Sequence, residues 1–445
     1  MPMLFKKRHS YVALYQIYIR TKYSTVTVIY AKGADDLFPY IALFALTAIG
    51  GFFFLEKESS RKRHVLFLIA ITAIMVLMAV IRHPGVGVDY DWEPENPAFS
   101  MGYKHYFLDV AKEDFSFINS SQNKYHNEPG YFMLNFLLSR ISTDPLIACY
   151  GISALIILLR MIAVYKYSSS YWVSIMTYIS YGYFMYSFCT FRQELASSIV
   201  LFSVPFLQKR RFVPYFFIIL LATSIHFSML LLIPLYFFIH LPINKLTLSL
   251  YGSAVLFVLF FSEPVLNLII RYLPALSAYG PDSYFMQGRP WIYLFFPVIF
   301  LIVILLLKNK LLERNPDNIV LINLYTWGTM IFMVVVKHFM AQRVALVLMP
   351  VIVLLMPEVF KALGVNEEKY SELSTNANSS TLRYKQLKAQ RKSEYESQRA
   401  LTGMLTIVCF FYLLFMLRFH GLRLTPYVTR WDDVTVHAHS ITRNQ

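Results

Sequence analysis

The chain has 445 residues, of which 57% are hydrophobic and only 15% are charged, and its formal net charge is +15. Soluble domains carry about 25% charged residues, so this composition excludes a soluble globular protein. Nucleic-acid binding is disfavoured despite the basic charge, because the lysines and arginines fall mainly in short turns between apolar runs. These runs match the roughly 20 residues that a helix needs to cross a bilayer, whereas the strands of membrane barrels have only about 10. The sequence therefore predicts an all-α, polytopic integral membrane protein.

The apolar runs predict about 11–12 transmembrane helices, preceded by a basic N-terminal extension, residues 1–36. The predicted crossings are 37–55, 65–81, 145–165, 171–189, 191–207, two short spans within 212–240, 248–270, 291–307, 318–336, 341–360 and 401–417. Residues 131–142 are apolar but too short to cross, which favours a re-entrant or interfacial helix. The main transmembrane core is therefore predicted over 37–360.

Charge in the turns predicts the orientation of these helices. If the turn 56–64 is cytoplasmic, the turns on that side hold twenty lysines and arginines, as the positive-inside rule requires. The loop 82–130 then faces outward. The remaining parts are a cytoplasmic polar linker at 361–400, a last transmembrane helix at 401–417 and an outward-facing tail at 418–445. The basic extension 1–36 would also lie outside, which the rule disfavours.

The outer loop 82–130 is the longest hydrophilic break in the first 360 residues. From Arg82 to Tyr131 it contains eight acidic residues against four basic ones, with many aromatic residues that suit sugar rings and bilayer interfaces. Both ends adjoin apolar segments, so they should be held close to the membrane surface. We expect this loop to form the lid and part of the floor of a site that faces out of the cytoplasm.

Two carboxylates of the loop are candidate general bases, a role that requires a positioned acceptor for a hydroxyl proton. Asp89 lies in G-V-G-V-D-Y and Glu128 in E-P-G-Y, where glycine, proline and aromatic neighbours indicate fixed geometry. Solvation remains the alternative for either. We predict Glu128 as the base, because Pro129 fixes its backbone, and Asp89 as the partner of Arg82.

Four arginines from separate apolar segments are predicted to converge on the outer face. Each adjoins a span, and the planar guanidinium fork suits a diphosphate better than lysine does. Snorkelling or pairing with a carboxylate is the alternative reading of each one. The candidate substrate-binding residues are Arg82, Tyr90, Tyr131, Arg192, Gln193, Arg289 and Arg343.

His226 follows a predicted helix break in S-I-H-F-S-M and is the third candidate catalytic residue. Histidine titrates near neutral pH, so it can handle protons or contact phosphate, although a hydrogen-bonded structural histidine fits equally well. No zinc spacing surrounds it. The three cysteines, Cys149, Cys189 and Cys409, lie in or next to apolar spans and predict buried small hydrophobes. No metal or other cofactor is expected.

The ordered motifs resemble those of the EpsG-like, Wzy-type polysaccharide polymerases of bacteria, over roughly residues 37–360. They are R…G-V-D-Y, E-P-G-Y, F-R-Q-E-L-A and H-F-S, beginning at Arg82, Glu128, Phe191 and His226. The chain departs from the family in its N-terminal extension and in Val88, where a small polar residue is commoner.

The resemblance implies an architecture like that of GT-C membrane glycosyltransferases. It implies an enzyme of the inner membrane that moves a growing glycan from undecaprenyl diphosphate onto the next carrier-linked repeat unit. Such an enzyme is inverting and metal-independent, and it works in the lipid bilayer. A chain-length regulator and a flippase are the protein partners that this pathway implies.

Three other functions remain open at this stage. A transporter or flippase of lipid-linked sugars would favour charges at the bilayer midplane and internal repeats, and neither is evident in the sequence. An O-antigen ligase would use the same donor with a different acceptor, and only the E-P-G-Y and R-Q motifs favour a polymerase over it. A membrane acyltransferase would need a cytoplasmic catalytic histidine motif, which we do not find.

Overall fold

The computed structural model describes residues 27–30, 37–55, 61–87, 89–90, 102–272, 287–363, 382–419, 424, 427, 429 and 435–438. Within these ranges the regular secondary structure is helical apart from one short two-stranded sheet. The predicted all-α, polytopic membrane protein is confirmed. The predictions for most of 1–36, for 91–101, for 364–381 and for most of 418–445 fall outside the described residues.

The elements follow one another along the chain as successive helices between two terminal strands. In order they are β1 (Thr27–Tyr30), α1 (Phe38–Leu55), α2 (Arg61–Ile81), α3 (Tyr103–Lys112), α4 (Pro129–Ile141), α5 (Leu146–Tyr167), α6 (Tyr171–Ser180), α7 (Tyr183–Tyr186), α8 (Phe191–Val200), α9 (Val204–Gln208), α10 (Phe212–Ile225), α11 (Leu235–Phe238), α12 (Lys245–Tyr272), α13 (Phe295–Arg314), α14 (Asn318–Met333), α15 (Met340–Leu348), α16 (Ile352–Leu363), α17 (Leu382–Phe419) and β2 (Thr435–Ala438). Short 3-10 turns lie at Phe115–Asn119, Leu201–Ser203, Phe227–Leu232, Trp291–Leu294, Val334–Val336 and Met349–Val351.

Seven helical segments of the described chain are long and apolar enough to cross a membrane. They are Arg61–Ile81, Leu146–Tyr167, Lys245–Val265, Trp291–Arg314, Asn318–Val336, Ala341–Leu363 and Tyr384–Phe419. Three shorter apolar helices match other predicted spans, at Phe38–Gly51, Phe212–Ile225 and Phe227–Phe238. The segment 131–142, for which a re-entrant or interfacial helix is predicted, forms most of α4, a helix of 13 residues.

The predicted crossing at 171–189 is not one continuous helix. Helix α6 ends at Ser180, and Gly182 adopts a left-handed conformation with φ of +78° before the short helix α7. The left-handed conformation favours glycine there, whereas the nearest atom to a Cβ would be the mobile end of the Met416 side chain. Hydropathy alone does not register this break.

The core of the bundle lies around α6. Every residue from Trp172 to Ser180 is buried, and the helix packs against α1, α16 and α17. The second half of the predicted polar linker, where a helix is expected near 382–400, and the predicted last span at 401–417 share the continuous helix α17. Lysine, arginine, glutamine, glutamate and alanine dominate its first half, and all are good helix formers.

Hydrogen bonds connect the C-terminal tail to the start of α1 and to the end of α2. The Tyr40 hydroxyl donates to the Leu424 carbonyl at 3.0 Å, and the Tyr427 hydroxyl donates to the Met78 carbonyl at 2.7 Å. Thr429 forms an isolated bridge with Arg82, and β1 pairs antiparallel with β2. The tail and the start of the loop therefore lie at the same end of the bundle.

We predict that Ser116→Cys is labelled by a membrane-impermeant maleimide in intact cells, whereas Ser393→Cys is labelled only after permeabilisation. Both positions are exposed in the structure, Ser116 in the outer loop and Ser393 in the basic half of α17. The native cysteines are buried, so their background should be low. Labelling of Ser393→Cys in intact cells would reverse the orientation.

Candidate active site

The E-P-G-Y motif joins the outer loop to α4. Pro129 occupies the first helical position, where its missing N–H leaves nothing unpaired. Gly130 lets the first turn approach α10, because a Cβ at this position would collide with the Ser224 hydroxyl. The motif therefore holds Glu128 against the end of α10, next to His226.

The Glu128 carboxylate is 5% exposed and accepts three hydrogen bonds. Arg192 Nη1 donates to Oε2 at 2.5 Å, His226 Nδ1 to Oε1 at 2.9 Å and the Phe227 backbone N–H to Oε1 at 3.1 Å. Burial by itself raises the pKa of Glu128, but the bonds from His226 and Arg192 outweigh it and lower the pKa below its ordinary value. An ionised carboxylate with this many donors is a weak base and a strong orienting group.

Arg192 begins α8 and connects this helix with the outer loop. Its guanidinium lies 3.8 Å from the centre of the Tyr125 ring, and its side chain is 20% exposed. A cation over an aromatic face is attracted by the ring. Tyr125 and Glu128 thus fix the guanidinium on two sides while part of it stays open.

Gln193 joins α8 to α15. Its Nε2 donates to the Arg343 carbonyl at 2.8 Å, and the residue is 5% exposed. It was predicted to bind substrate, but its amide is used to hold the Arg343 backbone. The Arg343 side chain itself is exposed.

Asp89 lies partly buried among three cations. Burial raises its pKa, and the charges of Arg343, Arg192 and Lys124 oppose that rise. Lys124 was not among the predicted site residues; burial and the neighbouring Arg192 lower its pKa to about 8, against the opposing effect of Asp89. Its place in the polar run S-S-Q-N-K gave no sequence signal, since only the fold brings it near Asp89.

Arg82 does not pair with Asp89 as predicted. It is fully buried, and its guanidinium donates to the carbonyls of Ala79 and Val86 and to the Ser153 hydroxyl, the last at 3.1 Å. It also lies 4.5 Å from the centre of the Phe188 ring. Arg82 therefore fastens α2 to α5 beneath the loop and has no surface left for a substrate.

Gly87 completes this packing at the start of the loop. Its φ is +114°, and a Cβ there would lie 2.5 Å from the Phe188 carbonyl oxygen. The glycine in G-V-D-Y is thus explained by close backbone approach and by a conformation that other residues disfavour.

The two predicted tyrosines are buried rather than open to sugars. Tyr90 is 3% exposed and Tyr131 is fully buried. The Tyr131 ring stacks on Tyr106 at 5.6 Å and meets Tyr125 edge-on at 5.7 Å. The rings of Tyr106, Tyr125 and Tyr131 form an aromatic wall beside Glu128.

Arg289 lies beside the segment that leads into α15. Its guanidinium is 4.3 Å from the centre of the Phe339 ring, and its backbone N–H donates to the Val335 carbonyl at 2.8 Å. Phe339 is one helical turn before Arg343, so Arg289 stabilises the approach to that arginine.

Two further charged residues were missed by the sequence reasoning. Arg160 and Glu194 form an ion pair inside the bundle, within α5 and α8. The signal was available, because an arginine inside the apolar run L-L-R-M-I is costly in a bilayer unless it has a partner. In the described ranges, no three His, Cys, Asp or Glu side chains come together as a metal site would require.

The fold and this site define a multi-pass helical membrane protein in which cations and carboxylates gather where the loop 82–130 meets the bundle. The chain belongs to the EpsG family, whose members are Wzy-type polysaccharide polymerase-like proteins, and residues 64–371 match that family. Its general role is therefore polysaccharide biosynthesis by a polymerase-like membrane protein. No curated protein and no solved structure matches the chain.

We predict that Arg82→Ala lowers the free energy of unfolding by about 2–4 kcal/mol, because it opens a cavity and leaves buried carbonyls unpaired. Thermal unfolding of the purified protein in detergent measures this. Arg343→Ala is the matched control, since its exposed side chain should leave the unfolding temperature nearly unchanged. An Arg82→Ala protein of normal stability that makes no polymer would instead show that Arg82 is a substrate-binding residue.

Proposed function

We propose that this protein transfers a growing glycan from its undecaprenyl diphosphate carrier to the next carrier-linked repeat unit, at the outer face of a bacterial inner membrane. The observation that carries the proposal is the hydrogen bond between Arg192 and Glu128 at the base of the outer loop, with further cations close enough to act on a second carboxylate. The charges of Arg192, Arg343 and Lys124 all act on Asp89 there. Such a set fits a substrate with a diphosphate beside sugar hydroxyls.

In the proposed reaction, the bond between the anomeric carbon and the diphosphate oxygen breaks, and the diphosphate leaves with the electron pair. The acceptor hydroxyl oxygen forms the new bond to the anomeric carbon and gives its proton to a base. Arg192 and Arg343 stabilise the charge that grows on the leaving diphosphate. This chemistry needs no metal or other cofactor in the proposal.

His226 is the base that the contacts favour, in place of Glu128. An ionised carboxylate only accepts hydrogen bonds. Nδ1 of His226 therefore carries the hydrogen and donates it in the bond to Glu128. In the neutral ring the lone pair is then on Nε2. Glu128 therefore orients the His226 imidazole with one carboxylate oxygen and the Arg192 guanidinium with the other.

The proposal takes the displacement to be inverting. In an inverting reaction the leaving group departs on the face opposite the attacking hydroxyl. The proposal therefore places the diphosphate at Arg192 and the acceptor hydroxyl at His226, which contact different oxygens of Glu128.

Two observations favour the transporter alternative. The Arg160–Glu194 pair lies inside the bundle, and α6 breaks at Gly182, features that transporters use near the membrane midplane. Glycan ladders separate the functions. Deleting the gene should leave single repeat units on the final acceptor, the molecule to which a ligase attaches the glycan. Loss of a flippase or a ligase leaves no repeat units on that molecule.

We predict that Arg192→Ala and Arg343→Ala abolish polymer although the proteins insert normally. Lysine at either position should restore little, because a point charge lacks the bidentate fork. Arg140→Ala is the matched control, since Arg140 is an exposed arginine near the loop that contacts the Glu113 carbonyl and the Phe136 ring. Full ladders from both test variants would show that neither arginine serves the transfer.

We predict that His226→Gln lowers the single-turnover transfer rate by about 10²–10⁴-fold, the usual contribution of a general base. Donor binding, measured with purified carrier-linked glycan, should persist. Glu128→Gln should reduce the rate less, because it removes orientation and not the proton acceptor. If Asp89→Asn is inactive while His226→Gln turns over normally, Asp89 is the base.

A further inference from the structure

Arg160 and Glu194 form an ion pair in which both side chains are completely buried. Arg160 Nη2 lies 2.8 Å from Glu194 Oε2. The guanidinium also donates to the hydroxyls of Ser198, at 2.9 Å, and Ser197, at 3.0 Å. Arg160 is about two-thirds of the way along α5, roughly 20 Å from the first residue at 1.5 Å per residue. The pair therefore lies deep within the membrane-spanning bundle.

Stability alone is a poor reason for such a pair. Burying two charges costs several kcal/mol per ion, and apolar residues of similar volume often replace a buried pair without loss. This pair is also incompletely satisfied. Within the described part of the chain, Arg160 Nη1, Glu194 Oε1 and the nearby hydroxyls of Tyr178 and Tyr183 make no hydrogen bond.

The geometry of α8 connects the pair with the candidate active site. Arg192, Gln193 and Glu194 are consecutive, and side chains one residue apart on a helix point about 100° apart. Arg192 contacts Glu128, the residue immediately before α4. Gln193 contacts the backbone of α15, and Glu194 contacts Arg160 in α5. Any rotation of this first turn moves all three contacts together.

We infer that the Arg160–Glu194 pair positions Arg192 for the transfer by fixing the rotation of the first turn of α8. The inference rests on the proposed function. A group about 5–6 Å from the helix axis moves by about 1 Å for each 10° of rotation. A misplacement of that size can reduce a rate on the order of 10²-fold. Neither Arg160 nor Glu194 touches the substrate, so both act through Arg192.

The test removes the pair without leaving an unpaired charge. The double variant Arg160→Met with Glu194→Met should insert and unfold near the temperature of the parent. Its single-turnover rate with purified carrier-linked glycans should fall by about 10- to 100-fold. Its affinity for the donor should change little, because Arg343 and Lys124 remain in place. A structural defect would instead lower the amount of active protein and leave the rate per active molecule unchanged.

A double-mutant cycle then tests whether the pair acts through Arg192. In an Arg192→Lys background, the Met/Met replacement should reduce the rate by much less than in the parent, because the group that it positions is already gone. Asn323→Leu is the matched control. It removes another buried polar side chain, which holds the carbonyls of Ile239 and Leu241, and its effect should be additive with Arg192→Lys.

The outcomes separate the two proposals. A parent protein that transfers no glycan in this assay overturns the proposed function and with it the inference. An active parent whose Met/Met variant keeps the full rate overturns the inference alone. So does an effect that is fully additive with Arg192→Lys, because the pair would then act elsewhere.

Discussion

The first turn of α8 is the constraint on which the site depends. Three consecutive polar residues, Arg192 to Glu194, each contact a different neighbour, and those neighbours come from parts of the chain that are far apart in sequence. A helix in an apolar environment gains little from the hydrophobic effect when it rotates, so polar contacts decide its orientation. The rotation of α8 about its axis therefore fixes the positions of Glu128 and of the Arg343 backbone relative to this helix. The aromatic wall beside Glu128 and the Tyr125 ring over Arg192 then keep this arrangement from relaxing.

The two ends of the outer loop use glycine for the same physical purpose, which is close approach of a backbone to another helix. Gly87 lies against the carbonyl of Phe188, and Gly130 lies against the end of α10. Arg82 supports the first end from below, and Pro129 begins α4 at the second. The loop is thereby fastened at both ends to the same bundle. This explains how a hydrophilic stretch can present Asp89 and Lys124 to arginines from the membrane segments.

Hydropathy and charge predicted the helical class and most of the spans, because each span needs only its own residues to be recognised. The same reasoning predicted that four arginines, Arg82, Arg192, Arg289 and Arg343, converge on one site. Of these, the structure relates Arg192 and Arg343 to Asp89. The reasoning failed where the outcome depends on rotation or register. Arg82 is close to Asp89 in sequence, yet its side chain turns into the bundle towards Ser153. Lys124 and Arg160 are recognised only through partners that the sequence does not identify. Helix α6 ends at Ser180, two residues before a glycine that hydropathy treats as neutral.

The charge balance of the proposed site also explains why Glu128 should pair with Arg192 rather than accept a proton as a base. Arg192, Arg343 and Lys124 face two carboxylates, so the resting site carries a small net positive charge when Lys124 is protonated. A carrier-linked glycan brings negative charge, and the departing diphosphate carries one more negative charge than the bound substrate does. Interactions that strengthen only as charge develops accelerate the reaction, whereas those that bind substrate and transition state equally do not. A guanidinium already oriented by Glu128 and Tyr125 has little left to reorganise at that moment, which is the condition under which electrostatic stabilisation is most effective.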